Sequence, residues 1–99
     1  MQYEFSAELW QWESRSDSWT FVTVPADPSE QITELAVALP VRGFRSVRVE
    51  AGIGGSVWRT SIFPGSDGRW VLPVKKAVRR AEALDTDDLA QVSIELIDL

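Results

Sequence analysis

The sequence predicts a single α+β domain, mainly β, spanning residues 1–99: a barrel-like sheet of about six strands with two short helices. Two observations in the residues carry the class. Apolar residues alternate with polar ones in nearly every segment, which is the period of a strand with one buried face, and Gly or Pro turn signals recur at the spacing of a β core. Only two stretches, Ser29 to Leu39 and Val74 to Leu84, show the three-and-four spacing of a helix instead.

Tyr3, Phe5, Ala7 and Leu9 alternate with polar residues as a first strand. Trp10 and Trp12 then fall on its polar side, so either a bulge near Leu9 switches the faces or the two rings cover a partly exposed surface. Glu13 to Ser18 reads as a hairpin loop and Trp19 to Val24 as the return strand, stopped by Pro25. Asp27 or Ser29 can cap the first helix, with Glu30 placed for a capping box and Ile32, Leu35, Ala36 and Leu39 for burial. Pro40 and Gly43 end it. Arg45, Val47, Val49, Ala51 and Ile53 form one side of the next strand, Gly54-Gly55 a tight turn, and Val57 to Phe63 the strand after it. A turn at Pro64 to Gly68 leads into Arg69 to Pro73, and the last strand, Leu89 to Leu96, has Val92, Ile94 and Leu96 as its inward set.

In the second helix Val74, Ala77, Val78, Ala81 and Leu84 share a face for burial, and Lys75, Lys76, Arg79 and Arg80 share the opposite one. That cationic face is either an ordinary solvated surface, as on any amphipathic helix, or a site for an anionic partner. The chain as a whole is net −5, partitioned as −6 over residues 1–41, +7 over 42–80 and −6 over 81–99. Internal pairing after folding is the favoured reading of that partition. General nucleic-acid affinity is not expected of so acidic a chain.

There is no cysteine and no histidine. Disulfides, thiolate catalysis and the usual neutral-pH general base are therefore excluded, and a cytoplasmic location fits. No apolar run reaches the roughly 18 residues of a membrane span, and the opening residues lack a secretory signal. Thr60-Ser61 has no activating partner at a recognisable spacing, the Asp85, Asp87, Asp88 corner lacks the remaining ligands of a calcium loop, and Gly52 to Gly55 is not a phosphate cradle. No catalytic residue, cofactor or metal ligand is assigned, and an enzyme is not expected.

Trp19-Thr-Phe-Val-Thr-Val-Pro25 followed by a helix and a strand has the same plan as Arg69-Trp-Val-Leu-Pro73 followed by a helix and a strand, an architectural echo of two halves. Gly52-Ile-Gly-Gly55, Trp58 to Pro64, Asp67-Gly68, Leu72 to Arg79 and Val92-Ser-Ile-Glu-Leu96 give the chain a resemblance to the bacterial domain-of-unknown-function family 1905. The resemblance implies a double-split β-barrel, an architecture shared with AbrB-type regulators, and carries no agreed activity. The corner before the last strand is Asp87-Asp88 where such families place Gly-Asp, so no glycine is available there for a left-handed turn.

Among the tryptophans, Trp19, Trp58 and Trp70 are expected to fill the barrel. Trp10 and Trp12 are the better contact candidates of the five, though core packing or closure of a barrel end is the favoured reading for them in a domain of this size. The function these residues support is a cytoplasmic, non-enzymatic binding module for an unidentified protein or small-molecule ligand, with Trp10, Trp12, Arg59, Lys75, Lys76, Arg79 and Arg80 as its surface. The alternative is an AbrB-like nucleic-acid-binding regulator, which adds Arg45 and Arg48 to the phosphate contacts and requires a steep loss of affinity with salt.

Overall fold

A computed structural model describes residues 1–13, 18–37, 46–65 and 67–97. The tip of the first hairpin loop, the first helix's expected end at Leu39 with Pro40 and Gly43, Arg45, and Ser66 in the second turn lie outside the described residues. Within them the chain runs β1 (Gln2–Glu8), β2 (Trp10–Glu13), β3 (Ser18–Thr23), α1 (Ala26–Val37), β4 (Val47–Ile53), β5 (Ser56–Pro64), β6 (Trp70–Pro73), α2 (Lys76–Ala81) and β7 (Leu89–Leu96). The strands form one antiparallel seven-stranded sheet in the order β1-β7-β4-β5-β6-β3-β2. The expected six become seven because the first strand breaks at Leu9.

That break answers the question raised by Trp10 and Trp12. Leu9 is fully buried, its N–H donates to Asp88 O at 2.9 Å, and its carbonyl accepts from Asp87 N at 2.7 Å. β1 and β2 stand at opposite ends of the strand order yet are consecutive in the chain, so the sheet curls with its two ends joined through this residue. On the inner face Val47, Val49, Ala51 and Ile53 of β4 pack with Val92, Ile94 and Leu96 of β7, all buried as their alternation requires. Trp58 and Trp70 join this core, at 7% and 3% exposure.

The two-halves plan is realised as strand pairing. β3 pairs with β6 and β4 with β7. Around the central Val22↔Leu72 pair, Val24 N–H donates to Trp70 O and Val74 N–H to Thr20 O, both at 2.8 Å. Each of these strands then leads into its helix. α1 begins earlier than expected, at Ala26, so Asp27, Pro28 and Ser29 lie inside its first turns and neither Asp27 nor Ser29 is its cap. Ser29 is buried for another reason: its Oγ donates to Val24 O at 2.9 Å and accepts from Trp70 N–H at 3.1 Å, bonding α1 to β3 and β6 at once.

α2 is shorter than expected, because Pro73 ends β6 and Lys75 stays extended at φ −71, ψ 157 before the helix begins. Val74 and Val78 are buried and Leu84 partly so, but Ala77 and Ala81 are exposed, since the helix docks on a narrower stripe than its apolar content allows. Beyond the C-cap Glu82, Ala83 N–H donates to Arg80 O at 3.3 Å and Leu84 N–H to Arg79 O at 2.9 Å, the paired bonds of a Schellman turn. Glu82 itself accepts from Ser56 Oγ at 2.7 Å and from Gly55 N–H at 3.4 Å, clamping the β4–β5 hairpin. Gly54, at φ 58, takes the left-handed conformation that favours glycine, and a Cβ on it would also displace the Glu82 carboxylate from this clamp.

Ala83 occupies the glycine position of that turn with φ 53. Left-handed backbone is costly for a residue with a Cβ, and the extra unfolded-state freedom of glycine offsets part of the gain. Ala83→Gly is thus expected to stabilise the protein by about 0.5–1 kcal/mol. A urea titration giving a lower midpoint for the variant contradicts this. Asp87 likewise adopts φ 75, so the corner takes the left-handed conformation without glycine, using a residue type whose short polar side chain tolerates it. No helix among the described residues is long and apolar enough to cross a membrane.

Candidate aromatic contact surface

A half-exposed sheet ordinarily puts polar residues on its outer face. The β5-β6-β3-β2 part of this sheet does not. Alternation sends Val22 and Leu72 inward to full burial, and therefore sends Trp19 and Phe21 of β3 and Val71 and Pro73 of β6 outward. Register then aligns them in rows: Trp12 opposite Trp19, Trp10 opposite Phe21 with Pro73 beyond, and Thr23 opposite Val71 with Phe63 beyond. Trp12 and Trp19 are each 51% exposed, which corrects the expectation that Trp19 fills the core. Ring size suggested burial, but parity places Trp19 on the face opposite Val22.

Trp10 supports this face from one side. Its ring lies 5.0 Å from that of Phe21 at 33°, and its Nε1–H donates to Thr23 Oγ1 at 2.8 Å, so its one polar group is satisfied within the sheet. Together Trp12, Trp19, Phe21, Phe63, Val71 and Pro73 line an open groove of about 320 Å³. Apart from the two indole N–H groups, none of these side chains carries a polar atom. Such a lining attracts apolar surface and exerts no acid–base chemistry.

Cations flank it. The extended backbone continues the outward row Val71, Pro73 to Lys75, and carrying the Phe21↔Pro73 register two places further sets Lys75 level with Trp19. Lys76, Arg79 and Arg80 line a separate groove of about 370 Å³ with Ala83, Leu84 and Asp85. Arg79 is partly buried and donates from Nε to Val74 O at 3.3 Å. Arg59 lies apart from both grooves, on β5, 3.6 Å from Glu50 across the β4–β5 pair, with both side chains well exposed. That is the one ion pair among the described residues, where Arg48, Arg69, Lys75, Lys76 and Arg80 are exposed and in no ion pair, so the expected internal pairing is not seen there.

Other polar groups serve the backbone. Asp88 Oδ2 accepts from Asp85 N–H at 2.8 Å, closing the acidic corner as a turn. Thr60 and Ser61 sit in the β4–β5 ladder opposite Val49 and Arg48.

Of the surface residues named from sequence, Trp12 lines the aromatic groove, Trp10 props it, Lys75 falls level with Trp19 by register, and Lys76, Arg79 and Arg80 line the separate groove on α2. Arg59 does not join them. Trp19, Phe21, Phe63, Val71 and Pro73 were missed as surface residues. The available signal was the parity of β3 and β6, whose apolar residues occupy both faces when only one can be core.

The family model described as Domain of unknown function (DUF1905) matches residues 5–94. None of the curated proteins matches the chain.

Proposed function

Because the chain belongs to the DUF1905 family, whose description names no activity, we propose its function from its own surface: a non-enzymatic binding module whose contact face is the aromatic groove on β2, β3, β5 and β6. The observation that carries this reading is the pair Trp12 and Trp19, half exposed on the outside of a sheet whose inside is already filled. Clustered aromatic residues at the centre of an exposed apolar patch are what binding hot spots are made of. We read the curled sheet as a double-split barrel joined through Leu9, residues 1–99 as one domain, and the cytoplasm as its location, supported by a cysteine-free composition.

The test is a selection of binding peptides on the purified protein, mapped by the indole N–H resonances of Trp12 and Trp19. Ligands so selected are expected to lose at least about tenfold in affinity on the Trp12→Ser/Trp19→Ser double variant, the effect of removing two hot-spot side chains. The variant itself should unfold within about 1 kcal/mol of the parent, since neither ring is in the core. Ligands that bind the variant equally well would remove the groove from consideration.

Nucleic-acid binding is the second reading, favoured by the solvent-facing cations of α2 and opposed by the net charge of −5. Few phosphate contacts are available to it, so duplex binding at about 150 mM salt is expected to be negligible. Sub-micromolar binding with a steep salt slope in an anisotropy titration would reverse the order of the two readings.

A further inference from the structure

We propose that the aromatic groove takes an acidic peptide segment that offers an apolar anchor side chain, and that Lys75 selects its charge. The inference rests on the binding-module reading and adds the partner's chemistry. Three features of the groove carry it.

The first is the row Lys75, Trp19, Trp12. Lys75 is extended at φ −71, ψ 157 and follows the buried Val74, whose N–H bonds Thr20 O, so alternation puts Lys75 on the same face as the two rings. Lys76 follows it, also exposed. Neither forms an ion pair among the described residues, and Glu13, the acid nearest along β2, alternates away from Trp12 to the opposite face. An anion placed over the Trp19 edge therefore meets a cation that is in no ion pair among the described residues. The groove itself supplies apolar area and almost no hydrogen bonding, so orientation and selectivity fall to its charged rim.

The second feature is openness. Small-molecule sites enclose most of their ligand and place several polar groups to orient it. Here the lining is one face of a sheet, carrying only indole N–H groups. A side chain borne on a peptide suits it better, because the rest of the peptide can reach the rim.

The third is what a second copy would bring. Its matching groove has the same acid-free lining, so two linings placed face to face supply no carboxylate from within the groove. An acidic segment supplies one. Two lysines also set the expected salt response: a modest weakening between low and physiological salt, not the collapse shown by phosphate-tracking proteins.

The experiment uses the whole chain and three synthetic peptides with one Leu-Phe core, flanked by glutamates, by glutamines or by lysines, each titrated while the Trp12 and Trp19 indole resonances are followed. The glutamate peptide is expected to bind about tenfold more tightly than the glutamine peptide, and the lysine peptide more weakly than either. Lys75→Glu, a fully surface change, should reverse that order without altering the unfolding midpoint. Equal binding of all three peptides at the indoles, unmoved by Lys75→Glu, overturns the charge inference while leaving the contact face standing. Failure of every peptide to move either indole overturns both. Concentration-dependent shifts of the same indoles without peptide assign the face to a second copy, and this also overturns the inference.

Discussion

Trp70→Ala is expected to lower the free energy of unfolding by about 3–5 kcal/mol, the range for deleting a large buried ring. Trp70 is 3% exposed and is held from two directions by α1. Its indole N–H donates to Thr33 Oγ1 at 3.0 Å, and its backbone N–H donates to the buried Ser29 Oγ at 3.1 Å. Thr33 in turn donates to Ser29 O at 2.9 Å, so the two hydroxyls and the tryptophan form one bonded cluster between helix and sheet. The alanine variant keeps the backbone bonds, including the one from Val24 N–H, but leaves a cavity where the ring filled the space under α1. Against a typical total stability of about 5–15 kcal/mol, that loss takes much of what a domain of this size has. Trp70→Phe separates the terms, since it restores most of the volume and omits the N–H; a cost of about 1–2 kcal/mol is expected. Arg80→Ala, exposed on α2, should change stability by less than about 1 kcal/mol. Urea titrations followed by far-UV circular dichroism rank the three variants, and equal midpoints for Trp70→Ala and Arg80→Ala would contradict the assigned faces.

The inner face of this fold is legible in the residues. Val47 to Ile53 and Val92 to Leu96 alternate cleanly because each strand buries one side, and β7 has the bounds that its pattern gives. Trp58 and Trp70 follow from the same rule. What was misread lies where two rules compete. On β3 the apolar residues fall on both faces, and choosing between them needs the partner strand: Val22 faces in because Leu72 does, a contact made fifty residues away and absent from any local window. On α2 the helical spacing includes Val74, yet Pro73 and the extended Lys75 delay the helix, so Val74 is buried as part of the strand's continuation. The Asp87 corner shows a third limit, since a left-handed conformation favours glycine but is open to aspartate when the turn around it is bonded. The aromatic groove combines all of these difficulties. Its lining comes from β2, β3, β5 and β6, and only non-local register brings Phe63 level with Val71, and Pro73 level with Phe21.

Leu9→Ala is expected to cost about 2–5 kcal/mol, far more than the same change at Leu89 on the neighbouring strand. Leu9 is fully buried at the junction where β1 ends and β2 begins, and those strands are the two ends of the sheet order. Its backbone is bonded on both sides to the Asp87-Asp88 turn, so the alanine variant retains these bonds and loses only side-chain packing. That packing matters beyond its area. The chain must change direction at Leu9 so that β1 reaches β7 while β2 reaches β3, and the side chain anchors the turn in the core between them. Leu89, 66% exposed at the start of β7, anchors nothing comparable, and its replacement by alanine should cost less than about 0.5 kcal/mol. Hydrogen exchange adds a readout that a simple loss of volume does not predict. If Leu9 fastens the two sheet ends together, the amides of Leu9 and Asp87 in the variant should exchange faster than the β4 and β5 amides by more than the global loss of stability accounts for. Uniform acceleration across the sheet would mean that Leu9 is one core residue among many, and that the junction is held by its backbone bonds alone.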